Sequence, residues 1–504
     1  MNSLPIATIR DSARNTPDVV SARREAAAGR KPWQVLVILF LLTLPLVNPW
    51  VRGDGIGYYA YVRSLLVEHR LDFQNDWRAG NTSFTMGRVL PDGTIRQHQY
   101  TRTGQLDNHF AVGASILWAP FEIPVHVVAS SLRKLGMPVR ADGFSRPYLM
   151  AMALATAIYG FLGLYFSFRF AAHYVEERWA LLATIAIWFA SSLPVYMYFN
   201  PSWSHAHSAF IVALFLWYWQ RTGPDRTLPQ WLILGLISGV LLDVYYVNIA
   251  VLLVALMESL WGYWQAWRAP KRDWHRLQRL FGANLLYSAA TVFAFLPTLV
   301  TRKIIYGHPF DFGYHEVNGW ALNSPHFFNA LFSADHGCLA WTPVLFLALV
   351  GLFLLLRLNR TVAIYLIVVF AAFSYIIGGD PNWAGISSFG NRFFISLTPL
   401  FVIGLAVFFS EGAKWLHRER LAMVLARSLT ALLMAWNLAF ILQWGTHMVP
   451  ARGPISWKQM VRNQFLLPKK AFTTVEAYVQ NRGALMQQLE QGDMPQLQEY
   501  QSHN

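Results

Sequence analysis

The chain has 504 residues, of which 55% are hydrophobic and only 13% charged, against roughly a quarter charged in an ordinary soluble domain. That balance excludes a typical soluble enzyme and predicts a chain dissolved mostly in lipid. The formal net charge of +14 is not a nucleic-acid signature, because no polar stretch carries a basic stripe with interleaved aromatics. It reads as charge that sets topology, and no nucleic acid is expected as a partner. The single cysteine, Cys338, excludes a disulfide framework and a multi-cysteine metal site.

The N-terminal residues 1–32 are polar and carry six Lys or Arg, too long a head for a cleaved signal peptide. They read as a cytoplasmic segment ahead of a retained first span. A helix needs about 20 apolar residues to cross the hydrocarbon core with its backbone satisfied internally. Residues 33–51, 148–168, 281–300, 338–356, 361–377 and 428–444 meet that need. Shorter spans are expected at 179–197, 208–220, 231–245, 247–263 and 396–410. The 21 Trp and 21 Tyr suit a chain with many water–lipid boundaries.

Topology turns on residues 108–132, which are apolar enough to span but contain Pro120, Glu122, Pro124 and His126. If they do not cross, the short inner loops hold 15 Lys and Arg and the short outer loops hold 3. If they cross, everything downstream inverts against the positive-inside bias. The stretch is therefore expected along the outer interface, as a juxtamembrane hairpin or re-entrant helix. The fold class that follows is an all-α polytopic membrane protein of about 11 transmembrane helices. Its N-terminus lies inside, and a long outer first loop, 52–147, carries interfacial helices. The polar tail 445–504 reads as a small outer cap.

With that topology the unusual polar residues fall on the outer side. Asp54 stands in Arg52-Gly53-Asp54-Gly55-Ile56-Gly57-Tyr58-Tyr59, where the glycines permit a tight turn and close approach of a ligand to the backbone. A carboxylate at the membrane boundary suits general-base duty. The competing reading is an N-cap on an interfacial helix over 56–69, and both stay open. After the third span, Asn200-Pro201-Ser202-Trp203-Ser204-His205-Ala206-His207 places two histidines at i and i+2. They could ligate a metal or orient a phosphate; hydrogen bonding to substrate is preferred, because no third ligand stands at fixed spacing. Asp243, followed by Tyr245 and Tyr246, is an ionisable group near a boundary and so a functional candidate. Arg302, Lys303 and His308 form a cationic lip suited to a phosphate headgroup, or else snorkel to the interface. His336, in Ser333-Ala334-Asp335-His336-Gly337, and Asp380, in Gly379-Asp380-Pro381-Asn382-Trp383, are further outer polar points. Arg392, at the start of a span, would be costly to bury unpaired, so an anionic partner is expected.

There is no P-loop, no Gly-x-Ser-x-Gly elbow and no His-Glu-x-x-His helix, which removes support for nucleotide hydrolysis and for serine or zinc proteolysis. The stretches Gly53-Asp54-Gly55-Ile56-Gly57-Tyr58-Tyr59-Ala60-Tyr61, Leu71-Asp72-Phe73, Asn200-Pro201 with Ser204-His205-Ala206, and His336-Gly337 with Trp341-Thr342-Pro343 resemble the superfamily C glycosyltransferases. The likeness is to the bacterial lipid A and protein O-mannosyltransferase-like branch, over about residues 33–410. The resemblance implies a transmembrane glycosyltransferase-like domain over 33–444 in a bacterial plasma membrane, with its site facing the periplasm. It implies a polyprenyl-phosphate sugar as donor, a glycan, lipid or protein acceptor, and Asp54 as the base. Tyr58, Tyr59, His205, His207, Asp243, Tyr246, Arg302, Lys303, His336 and Arg392 are then expected around substrate or phosphate. This chain departs from the pattern in offering His205 and His207 where the family carries Asp or Glu. It also has Asp243 where the fifth span usually ends in Arg or Lys. The first departure leaves a divalent metal open, and the second moves the expected phosphate contact to Arg302, Lys303 or Arg392. The rival readings are a lipid-linked saccharide flippase or secondary transporter, and a polysaccharide polymerase or ligase.

Overall fold

The computed structural model describes residues 31–502, apart from 224, 270–272, 314–319, 324, 387 and 451–452. The expected cytoplasmic segment 1–32 thus lies almost wholly outside the described residues. Within them the chain is helical, with two isolated antiparallel bridges, Val89 to Ile95 and Tyr100 to Leu106. The longer helices are α1 (Pro32–Thr43), α2 (Asp54–Val67), α3 (Gly113–Lys134), α4 (Arg146–Ala171), α5 (Glu177–Phe189), α6 (His205–Thr222), α7 (Leu228–Val244) and α8 (Leu253–Arg268). They continue with α9 (Trp274–Ala294), α10 (Leu296–Tyr306), α11 (Val344–Leu358), α12 (Arg360–Gly379), α13 (Thr398–Leu416), α14 (Glu419–Gly445), α15 (Trp457–Gln480) and α16 (Arg482–Ser502).

Six helical segments are long and apolar enough to cross a bilayer, or seven if the bent pair α9–α10 is one span. Three apolar helices, Pro32–Leu46, Leu228–Val244 and Val344–Leu358, are shorter. The chain is a polytopic helical membrane protein, and the expected spans overlap helices, with 179–197 interrupted after Phe189 and 338–356 interrupted after Trp341. The first stops at Leu46 rather than running to residue 51. Pro45 and Pro49 resist continuation there, and Asn48 turns aside to bond the carbonyls of Tyr198 and Phe199. The seventh bends by 45° between α9 and α10, where Pro297 cannot supply an intrahelical N–H. The hairpin expected within residues 108–132 does not form: from Gly113 onward the stretch is one continuous helix, α3, that keeps Pro120 and Pro124 inside it. By length and composition α3 is itself among the six. It packs on α4 through Trp118, whose indole donates to Thr156 at 2.9 Å, while Thr156 donates onward to the carbonyl of Pro201 at 2.8 Å.

Among these candidate spans the most enclosed is α13, which with its lead-in turn has 94% of its apolar stretch buried. In lipid, helices gain little by hiding apolar surface from one another, so close association depends on small residues that let backbones touch. Gly351 of α11 and Gly404 of α13 do this: a Cβ on Gly351 would stand 1.7 Å from the Gly404 carbonyl oxygen, and one on Gly404 would stand 2.1 Å from that of Ala348. The segment between α2 and α3 has a different anchor. Arg63 of α2 forks onto both oxygens of Asp76 at 2.6 Å and also reaches Glu68 at 2.7 Å. Arg63 and Asp76 are both buried, so the pair fixes α2 against the Gln74–Arg78 turn.

Gly404→Ala is expected to lower the stability of the detergent-solubilised protein by about 1–3 kcal/mol through overpacking. Gly412→Ala on the same helix, where an added Cβ meets nothing within 4 Å, is expected to leave it unchanged or slightly higher. Thermal unfolding of both variants checks the contrast.

Candidate active site

The Asp54 turn is held from three sides. Gly53 has φ +52°, a left-handed conformation natural to glycine. Its N–H donates to Asn81 Oδ1 at 3.0 Å. Trp203 Nε1 donates to the carbonyl of Arg52 at 3.0 Å. On the far side, a Cβ at Gly55 would lie 2.0 Å from Ser202 Oγ, so the first turn of α2 lies directly on the 200–204 loop. Helix α2 begins at Asp54 itself, with Gly53 as N-cap and no side-chain capping bond. This corrects the capping alternative: the carboxylate is not spent on the helix end.

It is paired instead with Arg392, whose guanidinium donates to Asp54 Oδ2 at 2.7 Å. Arg392 opens the turn Arg392–Leu397 that leads into α13, so its backbone is fixed by that deeply buried helix. The guanidinium lies over the Trp203 ring at 4.2 Å and donates to the Ile386 carbonyl at 3.4 Å. Arg392 is 8% exposed while the Asp54 side chain is 35% exposed, so the carboxylate faces open space and the cation stands behind it. That space is a cavity of about 460 Å³, within the size range of small-molecule sites.

Of the residues expected at the site, Asp54, Tyr58, His205, Tyr246 and Arg392 line this cavity. Asp380 and Asn382 line it too, with Asn382 N donating to Asp380 Oδ1 at 2.8 Å. Burial, reinforced by the nearby Asp54 charge, pushes the Tyr58 phenol up, so it faces the cavity as a neutral donor. His205 is packed among Tyr196, Trp203, Tyr245 and Phe393.

The others point elsewhere, mostly because a helix turns about 100° per residue. Tyr59, next to Tyr58, bonds the Gly143 carbonyl at 2.9 Å and Glu122 at 3.4 Å. His207, two residues beyond His205 on α6, is buried between Trp118 and Tyr159, so the two imidazoles diverge and cannot share a metal in this arrangement. Asp243 is buried and accepts two bonds from Thr298, at 3.2 Å from N and 2.5 Å from Oγ1, tying α7 to α10. The cationic lip separates in the same way: Arg302 turns inward to Tyr61 and the Phe110 carbonyl, while Lys303 bonds its own helix end at Gly307. His336 stacks on Trp341 at 4.3 Å and bonds Asp335 at 2.8 Å, outside the cavity lining.

Among the cavity residues not anticipated are Arg88 and His109, both from the segment between α2 and α3, and the stacking partner Trp203. Burial holds the His109 imidazole below its usual range, against the opposing pull of Asp107. The only sequence signal for His109 was its place just ahead of an apolar helix, and for Arg88 there was none. Among the described residues no group of three or more His, Cys, Asp or Glu could hold a metal ion, and the Asp54 carboxylate is already matched by Arg392. The donor set therefore does not fit a resident metal, and no step is derived through one.

Fold and site together define a polytopic helical membrane protein whose polar cavity sets one carboxylate against arginine. No family model and no curated protein sequence matches the chain. Among solved structures it is similar to ArnT from Cupriavidus metallidurans in the apo state, with 14% identity and a TM-score of 0.47 over 91% of this chain and 75% of that one. It is also similar to the archaeal oligosaccharyltransferase AglB from Archaeoglobus fulgidus, solved with an inhibitory peptide and a dolichol-phosphate. There the identity is 14% and the TM-score 0.40, over 92% of this chain and 56% of that one.

Gly55→Ala is expected to push α2 off the 200–204 loop and abolish any activity that depends on the Asp54 carboxylate. Ser202→Gly, which removes the two nearest obstructing atoms, at 2.0 and 2.5 Å, is expected to restore it in the double variant. Activity of the two singles and the double measures this.

Proposed function

We propose that the protein is an inverting glycosyltransferase that moves a sugar from a polyprenyl-phosphate donor to an acceptor hydroxyl on the outer side of the membrane. The observation that carries this reading is the Asp54–Arg392 pair at 2.7 Å inside an aromatic-lined cavity. It offers one base and one phosphate-seeking cation at a membrane boundary. Arginine grips phosphate oxygens in two parallel hydrogen bonds, so an arriving lipid phosphate competes with Asp54 for the Arg392 fork. Once Arg392 turns to the phosphate, the Asp54 carboxylate accepts a hydrogen bond from the acceptor hydroxyl instead.

The displacement balances simply. The acceptor oxygen forms a bond to the anomeric carbon on the face opposite the phosphate, Asp54 takes its proton, and the carbon–oxygen bond to phosphate breaks with its electron pair. The leaving phosphate is a dianion held by Arg392, with Arg88 also on the cavity wall; such preorganised charge is usually the largest catalytic term. Base and leaving group must stand on opposite sides of the anomeric carbon, so the ion pair has to open for the sugar to enter between them. Trp203, Tyr245 and Phe393 on the wall offer ring faces for the sugar. A lipid-anchored donor removes any need for a nucleotide-binding domain. The loop-charge asymmetry, 15 inner Lys and Arg against 3 outer, supports an outward-facing site and α3 lying on that side.

Asp54→Asn is expected to lower transfer from a synthetic polyprenyl-phosphate sugar in proteoliposomes by about 10²- to 10⁴-fold, the usual weight of a general base. Its thermal midpoint should stay near wild type. The product should carry the opposite anomeric configuration from the donor by NMR. Full activity of the variant would refute the base assignment, and a retained configuration would refute inversion.

A further inference from the structure

The polar tail does more than cover the surface. After α14 the chain returns as α15 and α16, and these touch the Asp54 segment at two places. Upstream of the turn, Tyr478 donates to the carbonyl of Leu46 at 2.7 Å and Arg482 donates to that of Pro45 at 2.8 Å and to that of Val47. The Arg482 guanidinium lies over the Tyr478 ring at 4.1 Å, so the two contacts brace each other. These carbonyls belong to the proline-broken end of α1, which has no helical partners to give them.

The second place is Glu490 on α16. One of its oxygens, Oε1, accepts from Asn81 Nδ2 at 2.7 Å and from Ser83 N at 3.2 Å. Asn81 is the residue whose Oδ1 receives the N–H of Gly53 at 3.0 Å. A carboxamide has one accepting and one donating end, whereas an ionised carboxylate only accepts. Glu490 therefore dictates which way round Asn81 sits: Nδ2 must face the carboxylate, which leaves Oδ1 facing Gly53. Reversed, the amide would set oxygen against carboxylate and NH₂ against N–H, two repulsive contacts at once. The other neighbour, Ser83 Oγ at 2.8 Å, can donate or accept and supplies no such direction.

We infer that Glu490 is a positioning residue for Asp54, acting through the orientation of Asn81 and the left-handed backbone of Gly53. The C-terminal helices thereby form part of the machinery that sets the general base. The chain of contacts has three links: Glu490 orders Asn81, Asn81 fixes the Gly53 amide, and Gly53 sets the direction in which Asp54 leaves the turn toward Arg392. Glu490 is not in the cavity lining and does not touch Arg392; its partner Ser83 is on the lining, and its link to Asp54 runs through Asn81 and Gly53.

The inference rests on the proposed transferase reading for its kinetic consequence, and the test is chosen to separate the two. Amide hydrogen exchange of the peptide spanning 51–58 is measured in full-length wild type, Glu490→Ala, Glu490→Gln, Asn81→Ala and the Asn81→Ala/Glu490→Ala double variant, with Glu476→Ala on exposed α15 as control. Transfer kinetics are followed in parallel. The 51–58 peptide is expected to exchange faster in Glu490→Ala and Asn81→Ala, with the double variant no faster than Asn81→Ala. Glu490→Gln, which can donate as well as accept and so no longer fixes the direction of the Asn81 amide, should fall between wild type and Glu490→Ala, while the control should stay close to wild type. Transfer should fall by about 10- to 100-fold in kcat for Glu490→Ala, the scale of a small misplacement of a catalytic group, with donor KM little changed. Unaltered exchange in Glu490→Ala, or effects of the two single variants that simply add, would overturn the positioning role. Faster exchange in a protein whose wild type transfers no sugar would leave the positioning role standing and remove the transferase reading.

Discussion

A carboxylate and a guanidinium 338 positions apart in sequence meet at 2.7 Å, and the architecture around them serves that meeting. Arg392 does not snorkel to the surface, because it leads into a deeply buried helix and is itself 8% exposed. A charge in that setting needs a partner, since removing one member of a buried pair leaves the other uncompensated. Asp54 supplies the partner from the first turn of α2, and the Trp203 ring face covers the cation. The same indole donates to Arg52, so one side chain fixes both halves of the pair.

On the proposed reading, the pair also defines how the protein responds to a ligand. A closed ion pair satisfies both charges, and only a competing anion with good geometry can part them. A phosphate on a membrane-anchored chain fits that requirement, because it arrives along the bilayer and presents several acceptor oxygens to the guanidinium. Other charged groups are committed elsewhere: Asp243 to Thr298, Arg63 to Asp76 and Glu68, Asp335 to its neighbour His336. The first two commitments join helices, and all three lie outside the cavity lining.

Much of this was legible in the sequence. The spans could be read because lipid demands long apolar helices, and Asp54 stood out because three glycines surround one carboxylate at a span end. Arg392 was expected to need an anion, yet nothing in a single sequence pairs it with Asp54, because contacts between distant segments leave no local periodicity. The face on which a side chain points was likewise hidden. Neighbouring residues such as Tyr58 and Tyr59, or Arg302 and Lys303, have the same chemistry and opposite fates once the helix is wound. His205 and His207 looked like a pair on paper and diverge on α6. The proline-broken end of α1 was legible in retrospect from Pro45 and Pro49. The contact of Glu490 with Asn81 was not, because it joins a polar tail to a loop more than 400 positions away.

The most direct measurement is a structure of the protein bound to a polyprenyl phosphate. The phosphate oxygens are expected within hydrogen-bond distance of the Arg392 guanidinium, with Arg392 moved away from Asp54 and the freed carboxylate facing the cavity where the sugar would stand. A phosphate bound elsewhere, with the Asp54–Arg392 contact still at 2.7 Å, would contradict it.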